Sequence, residues 1–139
     1  MADLKTNAMG LKFKNPILAA SGTFGFGEEF SKLYDLSILG GICSKGLTLK
    51  PQLGNKGIRL WETPMGLMNS IGLENPGVDR FISEELPKMK KYDTLIFANL
   101  GGHCEEDYLE GIQKLNNARV DAIELNISCP NIKSGGMAF

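Results

Sequence analysis

Cys129 is the cysteine whose surroundings best suit acid–base chemistry. It lies between Ser128 and Pro130, just ahead of a glycine-rich stretch. A thiol that loses its proton in such a loop can act as a general base. The alternative is a buried cysteine that only packs, which is the commoner fate of this residue type. The pattern alone leaves both interpretations open, whereas Cys43 lies inside an apolar run and is interpreted as a core residue.

Polar or glycine residues also follow each of four short apolar runs. In chain order these residues are Ser21, Lys45, Gly46, Asn99 and Asn126. If the runs are parallel strands of an α/β barrel, their carboxyl ends share the edge where ligands bind. Lys45 at such an edge can neutralise an anionic cofactor ring or phosphate, and a solvated surface lysine is the alternative. We therefore expect ligand-binding groups at this edge.

The four runs alternate with helical patterns. The expected strands are Ile17–Ala20, Gly41–Ser44, Leu95–Ala98 and Ala122–Leu125. The first expected helix is Glu28–Leu36, with an apolar face of Phe30, Leu33 and Tyr34. The second is Val78–Lys90, which Pro87 is expected to end or kink. The third is Glu105–Asn117, in which Tyr108, Leu109, Ile112 and Leu115 have the spacing of a buried stripe. Strands that alternate with helices predict a parallel sheet.

Two further segments complete the organisation of the chain. Leu4–Phe13 is expected to form a small hairpin that turns near Ala8–Gly10. Leu47–Pro76 is a long insertion rich in proline and glycine, and an excursion of that length inside a compact domain is usually functional. A closed parallel barrel needs about eight strands and roughly 250 residues. Four strands in 139 residues therefore predict about half a barrel, as in a truncated chain or gene fragment.

Composition excludes several classes of function. The net charge is −1, which gives no electrostatic signature of nucleic-acid or anionic-membrane binding. No apolar run approaches the roughly 20 residues of a membrane span, and the amino terminus lacks the apolar core of a signal peptide. A cytoplasmic location is expected. The 3 cysteines are far apart, form no CxxC pair and accompany 1 histidine, so neither a metal site nor a disulfide framework is expected.

Five stretches of the chain, taken together, are typical of one enzyme family. They are Asn15–Gly25 (NPILAASGTFG), Ser44–Leu49 (SKGLTL), Glu62–Gly77 (ETPMGLMNSIGLENPG), ANLGG around Asn99, and Glu124–Asn131 (ELNISCPN). With these motifs the chain resembles the class 1 dihydroorotate dehydrogenases. It is most similar to the NAD-linked subgroup, whose catalytic subunit works with an electron-transfer subunit. The resemblance extends over nearly the whole chain but covers under half of a typical family member.

The resemblance implies a (β/α)8 TIM barrel with FMN at its top, of which residues 1–139 would be the amino-terminal half. FMN would contact Ser21, Lys45, Gly46, Asn99 and Asn126. The substrate would be held by Lys45, Asn69, Ser70, Ile71, Gly72, Leu73, Asn126 and Asn131.

The resemblance also implies a reaction, the oxidation of dihydroorotate to orotate in pyrimidine biosynthesis. Cys129 matches the family's catalytic base, which would take a proton from C5 while a hydride leaves C6 for the flavin. A partner subunit with FAD and a 2Fe-2S cluster would pass the electrons to NAD, within an expected hetero-tetramer. Two departures from the family's usual pattern are Glu74 in place of glutamine and Gly101 in place of serine or alanine.

Two alternatives stay open. A flavoenzyme similar to dihydropyrimidine dehydrogenase has a similar barrel and cysteine loop, and would oxidise reduced uracil or thymine instead. A non-catalytic half-barrel that acts only by assembly is the second alternative, because the distal strands of the family supply further FMN and substrate contacts.

Overall fold

A four-stranded parallel sheet is the centre of the computed structural model, which describes residues 2–127. The strands are β1 (Thr6–Ala8), β2 (Leu11–Phe13), β3 (Leu18–Ala19), β4 (Gly41–Cys43), β5 (Leu60–Thr63), β6 (Gly66–Asn69), β7 (Leu95–Gly101) and β8 (Ala122–Asn126). The helices are α1 (Val78–Arg80), a π-helical turn (Phe81–Glu85), α2 (Leu86–Met89) and α3 (Glu105–Asn117), with short 3-10 turns at Phe30–Lys32 and Leu36–Ile38.

The parallel sheet has the order β3–β4–β7–β8, so neighbours in the chain are neighbours in space. In the register of the sheet, Cys43 pairs with Phe97 and Phe97 pairs with Ala122. Asn99 pairs with Glu124 in the same ladder. Paired residues of a sheet point to the same face, so these side chains share one face. The predicted strands and their parallel arrangement are confirmed, and this α/β arrangement is consistent with part of an α/β barrel.

The other face of the sheet carries the main core. Ile42, Ile96, Ala98 and Leu100 are buried there against the helices. The helices supply apolar side chains at helical spacing, namely Val78, Phe81, Leu86, Met89 and Leu115. Because this face is apolar and covered, ligand chemistry is left to the opposite face and to the strand ends.

The hairpin β1–β2 covers the lower part of that opposite face. It turns at Met9 and Gly10, both with positive φ, as the sequence predicted for this segment. Phe13 at its end stacks on Phe97, with ring centroids 6.1 Å apart, and both pack with the buried Cys43. This small apolar cluster closes one end of the sheet and leaves the carboxyl edge open.

The predicted helix Glu28–Leu36 is wrong. Only the two short 3-10 turns form in this region. Asp35 interrupts the helical backbone with φ −70° and ψ 116°, and its carboxylate accepts a hydrogen bond of 2.9 Å from the amide of Ser37. Aspartate competes with helical hydrogen bonds in this way, so it favours a cap over a helix interior. Leu33, which the pattern placed on a buried stripe, is 77% exposed.

The other two predicted helices are present. Pro87 does not end the second one; the turn before it widens to a π-helix, because proline has no N–H to donate to Ser83 and its ring crowds that carbonyl. The third helix has the predicted bounds. Its buried stripe is incomplete, since Leu109 is 59% exposed. None of the helices between residues 2 and 127 is long and apolar enough to cross a lipid bilayer.

Candidate active site

Three of the predicted ligand-binding residues meet at the carboxyl edge of the sheet. The amide nitrogen Nδ2 of Asn126 donates a hydrogen bond of 3.3 Å to Oδ1 of Asn99. A β-carbon placed on Gly46 would lie 3.0 Å from that same Oδ1 and 3.6 Å from Nδ2 of Asn126. Glycine at position 46 therefore lets the backbone after β4 approach both amides closely.

Ser21 joins this group through a residue that the sequence interpretation left out. Glu124 accepts a hydrogen bond of 2.7 Å from Oγ of Ser21 on its oxygen Oε1. The same oxygen accepts a hydrogen bond from Nδ2 of Asn99. Glu124 thus connects the residue after β3 with the asparagine of β7. The signal available in the sequence was a charged residue inside an expected apolar strand.

Burial and hydrogen bonding act in opposite directions on the Glu124 carboxyl. Partial burial raises its pKa, but the hydrogen bonds from Ser21 and Asn99, with a smaller contribution from the Cys43 thiol, outweigh this effect. The net pKa of Glu124 lies below its usual value. The carboxylate is therefore ionised at neutral pH, and an ionised carboxylate only accepts hydrogen bonds.

Cys43 lies below this group and is chemically inert. It is 2% exposed. Burial, together with the nearby Glu124 carboxylate, raises the pKa of its thiol to about 12. The thiol stays protonated at neutral pH and cannot serve as a base, in agreement with its interpretation as a core residue.

The backbone of Asn99 is held from two sides. Its N–H donates a hydrogen bond of 3.1 Å to Oγ of Ser44, and its carbonyl accepts one of 2.8 Å from the N–H of Leu47. The hydroxyl of Ser44 in turn donates to the carbonyl of Lys45 at 3.0 Å. These bonds continue the ladder beyond the end of β4, so the segment 44–47 and the asparagine side chain keep a defined relative position.

The Lys45 side chain lies in a cavity beside the long insertion. It is half-buried and lines a cavity of about 360 Å³ together with Gln52, Glu74 and Arg80. Its backbone N–H donates to the carbonyl of Gly25 at 2.8 Å. Within residues 2–127 no hydrogen bond joins the Lys45 ammonium to Asn99 or Asn126.

The predicted substrate segment 69–73 begins at the end of β6, and its last residue, Leu73, lies beside Gly46. Cδ1 of Leu73 would lie 2.9 Å from a β-carbon on Gly46. The carbonyl of Gly72 accepts a hydrogen bond of 2.7 Å from Nε2 of Gln52. The N–H of Asn55 donates to the carbonyl of Ile71 at 2.9 Å. The segment is thus tied to residues 52–55 of the same insertion.

Asn69 and Ser70 are exposed at the start of this segment. Oγ of Ser70 accepts a hydrogen bond of 2.9 Å from Nδ2 of Asn55, and the N–H of Ser70 donates to the carbonyl of Arg59 at 2.9 Å. Within residues 2–127 no hydrogen bond joins either residue to Asn99 or Asn126. Cys129 and Asn131, the other predicted site residues, lie outside the described residues.

Asn75 is a structural residue whose importance the sequence interpretation missed. Its side chain is buried, with 5% exposure. Its Oδ1 accepts from the N–H groups of Thr48 and Gly77 at 3.0 and 2.9 Å. Its Nδ2 donates to Oγ1 of Thr48 and to the carbonyl of Leu73 at 3.0 and 2.8 Å. Asn75 therefore ties the substrate segment to the strand extension that carries Gly46.

The two departures from the usual family pattern fit this arrangement. Glu74 forms an ion pair of 2.6 Å with Arg59 on the surface of the insertion. A β-carbon on Gly101 would meet Cβ of Asn126 and the carbonyl of Leu47 at 3.7 Å, which is ordinary van der Waals contact. The space beside Gly101 therefore accommodates alanine without displacing Asn126.

Comparison with known proteins decides the family. The model of the family described as "Dihydroorotate dehydrogenase" matches residues 3–139. The chain belongs to the dihydroorotate dehydrogenase family. It is 55% identical over 139 residues to the catalytic subunit of dihydroorotate dehydrogenase B (NAD(+)) of Petrotoga mobilis, covering 100% of this chain and 46% of the relative. The subunit of the same name from Caldicellulosiruptor bescii is 53% identical and is covered to 45%, with 99% of this chain aligned.

A solved structure gives the same assignment. The chain superposes on a dihydroorotate dehydrogenase of Eimeria tenella, crystallised in complex with ferulenol, with a TM-score of 0.74 and 26% identity. The match covers 94% of this chain and 38% of that chain. The resemblance seen in the motifs is thus confirmed. The chain spans about half the length of the curated relatives it matches.

Proposed function

We propose that this chain carries the amino-terminal part of the active site of an FMN-dependent dihydroorotate dehydrogenase, built on a (β/α)8 barrel. The reaction is the oxidation of dihydroorotate to orotate in pyrimidine biosynthesis. One observation carries the proposal: residues on or just after four different strands converge at the carboxyl edge of the sheet. Ser21, Glu124, Asn99 and Asn126 are joined by hydrogen bonds, and Gly46 lies against the two asparagines. That edge is where α/β barrels place their active sites.

The chemistry of these residues suits a flavin ring. Gly46 has no side chain, and a β-carbon there would press on Asn99 at 3.0 Å, so the backbone offers a close approach that a larger residue would block. The amides of Asn99 and Asn126 offer both donors and acceptors, as the polar edge of an isoalloxazine ring requires. FMN, when bound, supplies the acceptor of the hydride that leaves C6 of dihydroorotate.

The protein's own part in the reaction is to position the substrate and to move one proton. Cys129, as thiolate, takes the proton from C5 of dihydroorotate, so that the proton and the hydride leave from adjacent carbons. Lys45, the segment 69–73 and the asparagines, including Asn131, hold the substrate and stabilise negative charge that develops on the pyrimidine ring. Cys43 cannot replace Cys129, because its thiol is buried and stays protonated.

A partner subunit completes the proposed enzyme. The matched relatives are named as NAD(+)-linked catalytic subunits, which supports the same division of labour here. The partner would carry FAD and a 2Fe-2S cluster and pass electrons to NAD, and the expected assembly is a hetero-tetramer. The cytoplasmic location stays a prediction from composition.

Anaerobic flavin reduction tests the proposal. The complete protein expressed from the gene of this chain should purify with bound FMN, and dihydroorotate should bleach the flavin absorbance within the mixing time of a manual experiment. Dihydrouracil is the control donor, and faster bleaching by dihydrouracil would favour the dihydropyrimidine dehydrogenase alternative. A colourless protein that FMN cannot reconstitute would favour the non-catalytic half-barrel. NAD reduction should require the partner subunit, and efficient NAD reduction without it would refute the proposed partner.

A further inference from the structure

Glu124 accepts hydrogen bonds whose direction is forced by its charge. Its ionised carboxylate can only accept, and it accepts from Oγ of Ser21 and Nδ2 of Asn99. An asparagine amide, in contrast, has nearly the same shape with its oxygen and nitrogen exchanged. Its orientation is therefore decided by its partners. The carboxylate decides the orientation of Asn99.

The orientation of the Asn99 amide then determines the orientation of the Asn126 amide. With Nδ2 of Asn99 turned to Glu124, Oδ1 of Asn99 faces Asn126 and Gly46. An oxygen at this position needs a donor, and Nδ2 of Asn126 supplies it at 3.3 Å. The Asn126 side chain is consequently left with its oxygen, an acceptor, for a ligand. If the Asn99 amide were reversed, its oxygen would face the Glu124 carboxylate and its nitrogen would face Nδ2 of Asn126.

Hydrogen bonds fix the backbone of both asparagines, so the orientation of each side-chain amide is what can still vary. The backbone of Asn99 is fixed by Ser44 and Leu47. The carbonyl of Asn126 accepts a hydrogen bond of 2.7 Å from the Tyr108 hydroxyl. These contacts fix where the two side chains begin but place no constraint on which end of each amide points to the ligand.

We propose that Glu124 is a positioning residue that orients the Asn99 and Asn126 amides so that the site selects a ligand with a ring N–H donor at Asn126. This inference rests on the proposed function. Dihydroorotate and orotate carry such N–H groups in the pyrimidine ring, and FMN carries one in the isoalloxazine ring. Glu124 acts through the amides and does not itself contact the ligand. The low pKa of its carboxyl, noted above, keeps the direction fixed at neutral pH.

The test compares Glu124→Gln with Glu124→Asp in the complete, FMN-loaded protein. Glutamine keeps the size of the side chain but offers both a donor and an acceptor, so it removes the forced direction. Aspartate keeps the charge and should restore part of the affinity. Glu110→Gln is the control, because Glu110 lies on the exposed face of α3 and forms a surface ion pair of 3.2 Å with Lys114. FMN affinity and orotate affinity are measured separately, by flavin fluorescence and by the flavin difference spectrum.

We expect Glu124→Gln to weaken one of the two ligands by about tenfold, the size of effect produced by one misdirected polar contact. Weakened FMN binding assigns the donor to the flavin, and weakened orotate binding assigns it to the pyrimidine. In steady-state assays KM should rise more than kcat falls. The melting temperature should stay close to that of Glu110→Gln, since the packing is unchanged.

Two results would overturn the inference. Affinities of Glu124→Gln equal to those of the wild type for both ligands would show that the amide direction does not depend on the charge. Failure of Glu124→Gln to fold, with Glu124→Asp folded and active, would assign Glu124 to stability alone. Failure of the wild-type protein to bind FMN or to oxidise dihydroorotate is a different outcome, and it refutes the proposed function.

Discussion

Substitution of Gly46 by alanine tests whether the close approach at the strand edge is needed for ligand binding. A β-carbon at this position would lie 2.9 Å from Cδ1 of Leu73 and 3.0 Å from Oδ1 of Asn99, and both distances are shorter than ordinary van der Waals contact. The leucine methyl can rotate away, but the asparagine oxygen is held by its hydrogen bond to Asn126. The substitution must therefore displace the amide pair by a few tenths of an ångström.

The size of the effect follows from the cost of such overpacking. Extra atoms in a well-packed site cost about 1–3 kcal/mol. Replacing glycine by alanine where the backbone allows it returns about 0.4–1 kcal/mol through the unfolded state. We expect Gly46→Ala to lower the free energy of unfolding by about 1 kcal/mol and to weaken FMN binding about five- to tenfold. Urea denaturation and quenching of FMN fluorescence measure the two quantities.

Gly101→Ala is the matched control on the other side of Asn126. Its β-carbon would meet the nearest atoms at 3.7 Å, so it should fit without displacing the amide. This variant should bind FMN like the wild type and should be at least as stable. Equal FMN affinities for Gly46→Ala and Gly101→Ala would refute the claim that position 46 forms part of the flavin site.

Three further predictions concern stability, thiol reactivity and the pH dependence of unfolding. Asn75→Ala should lower the free energy of unfolding by about 2–4 kcal/mol, because it leaves the buried N–H groups of Thr48 and Gly77 without their acceptor. Urea denaturation measures this change, and a loss under about 0.5 kcal/mol would contradict the role assigned to Asn75. At pH 7.5, a maleimide should modify the exposed Cys104 but not the buried Cys43, as read by peptide mass spectrometry, and equal labelling would contradict the buried position. The raised pKa of Cys43 also makes unfolding easier between about pH 9 and 12, since only the unfolded thiol ionises there, and Cys43→Ala should remove that slope.

The arrangement of strands was predictable because local composition and tertiary structure agree. Short apolar runs that alternate with helical patterns have few other ways to bury their surface than a parallel sheet with helices on it. The polar residues after these runs were also identified, since the ends of parallel strands must meet at one edge. The convergence of Asn99, Asn126 and Gly46 follows from that rule alone.

What the sequence did not reveal depends on contacts between distant residues. Glu124 looks like a polar position in a half-buried strand until Ser21 and Asn99 are seen to share its oxygen. Asn75 looks like an ordinary turn residue, because asparagine favours turns for local reasons. The failed helix at Glu28–Leu36 has a local cause: the spacing of its apolar residues outweighed the signal of Asp35, which caps the turn that begins at Leu36.

The rate of flavin reduction in Cys129→Ser tests the central claim most directly. The complete protein is mixed anaerobically with dihydroorotate in a stopped-flow instrument across a range of pH, with Cys43→Ser as the control for loss of a thiol. A positioned general base contributes about 10²–10⁴-fold to such a proton transfer. Cys129→Ser should therefore reduce its flavin slower by that factor near neutral pH, recover in part as pH rises, and still bind orotate, while Cys43→Ser keeps the wild-type rate. Reduction of Cys129→Ser at the wild-type rate would contradict the account.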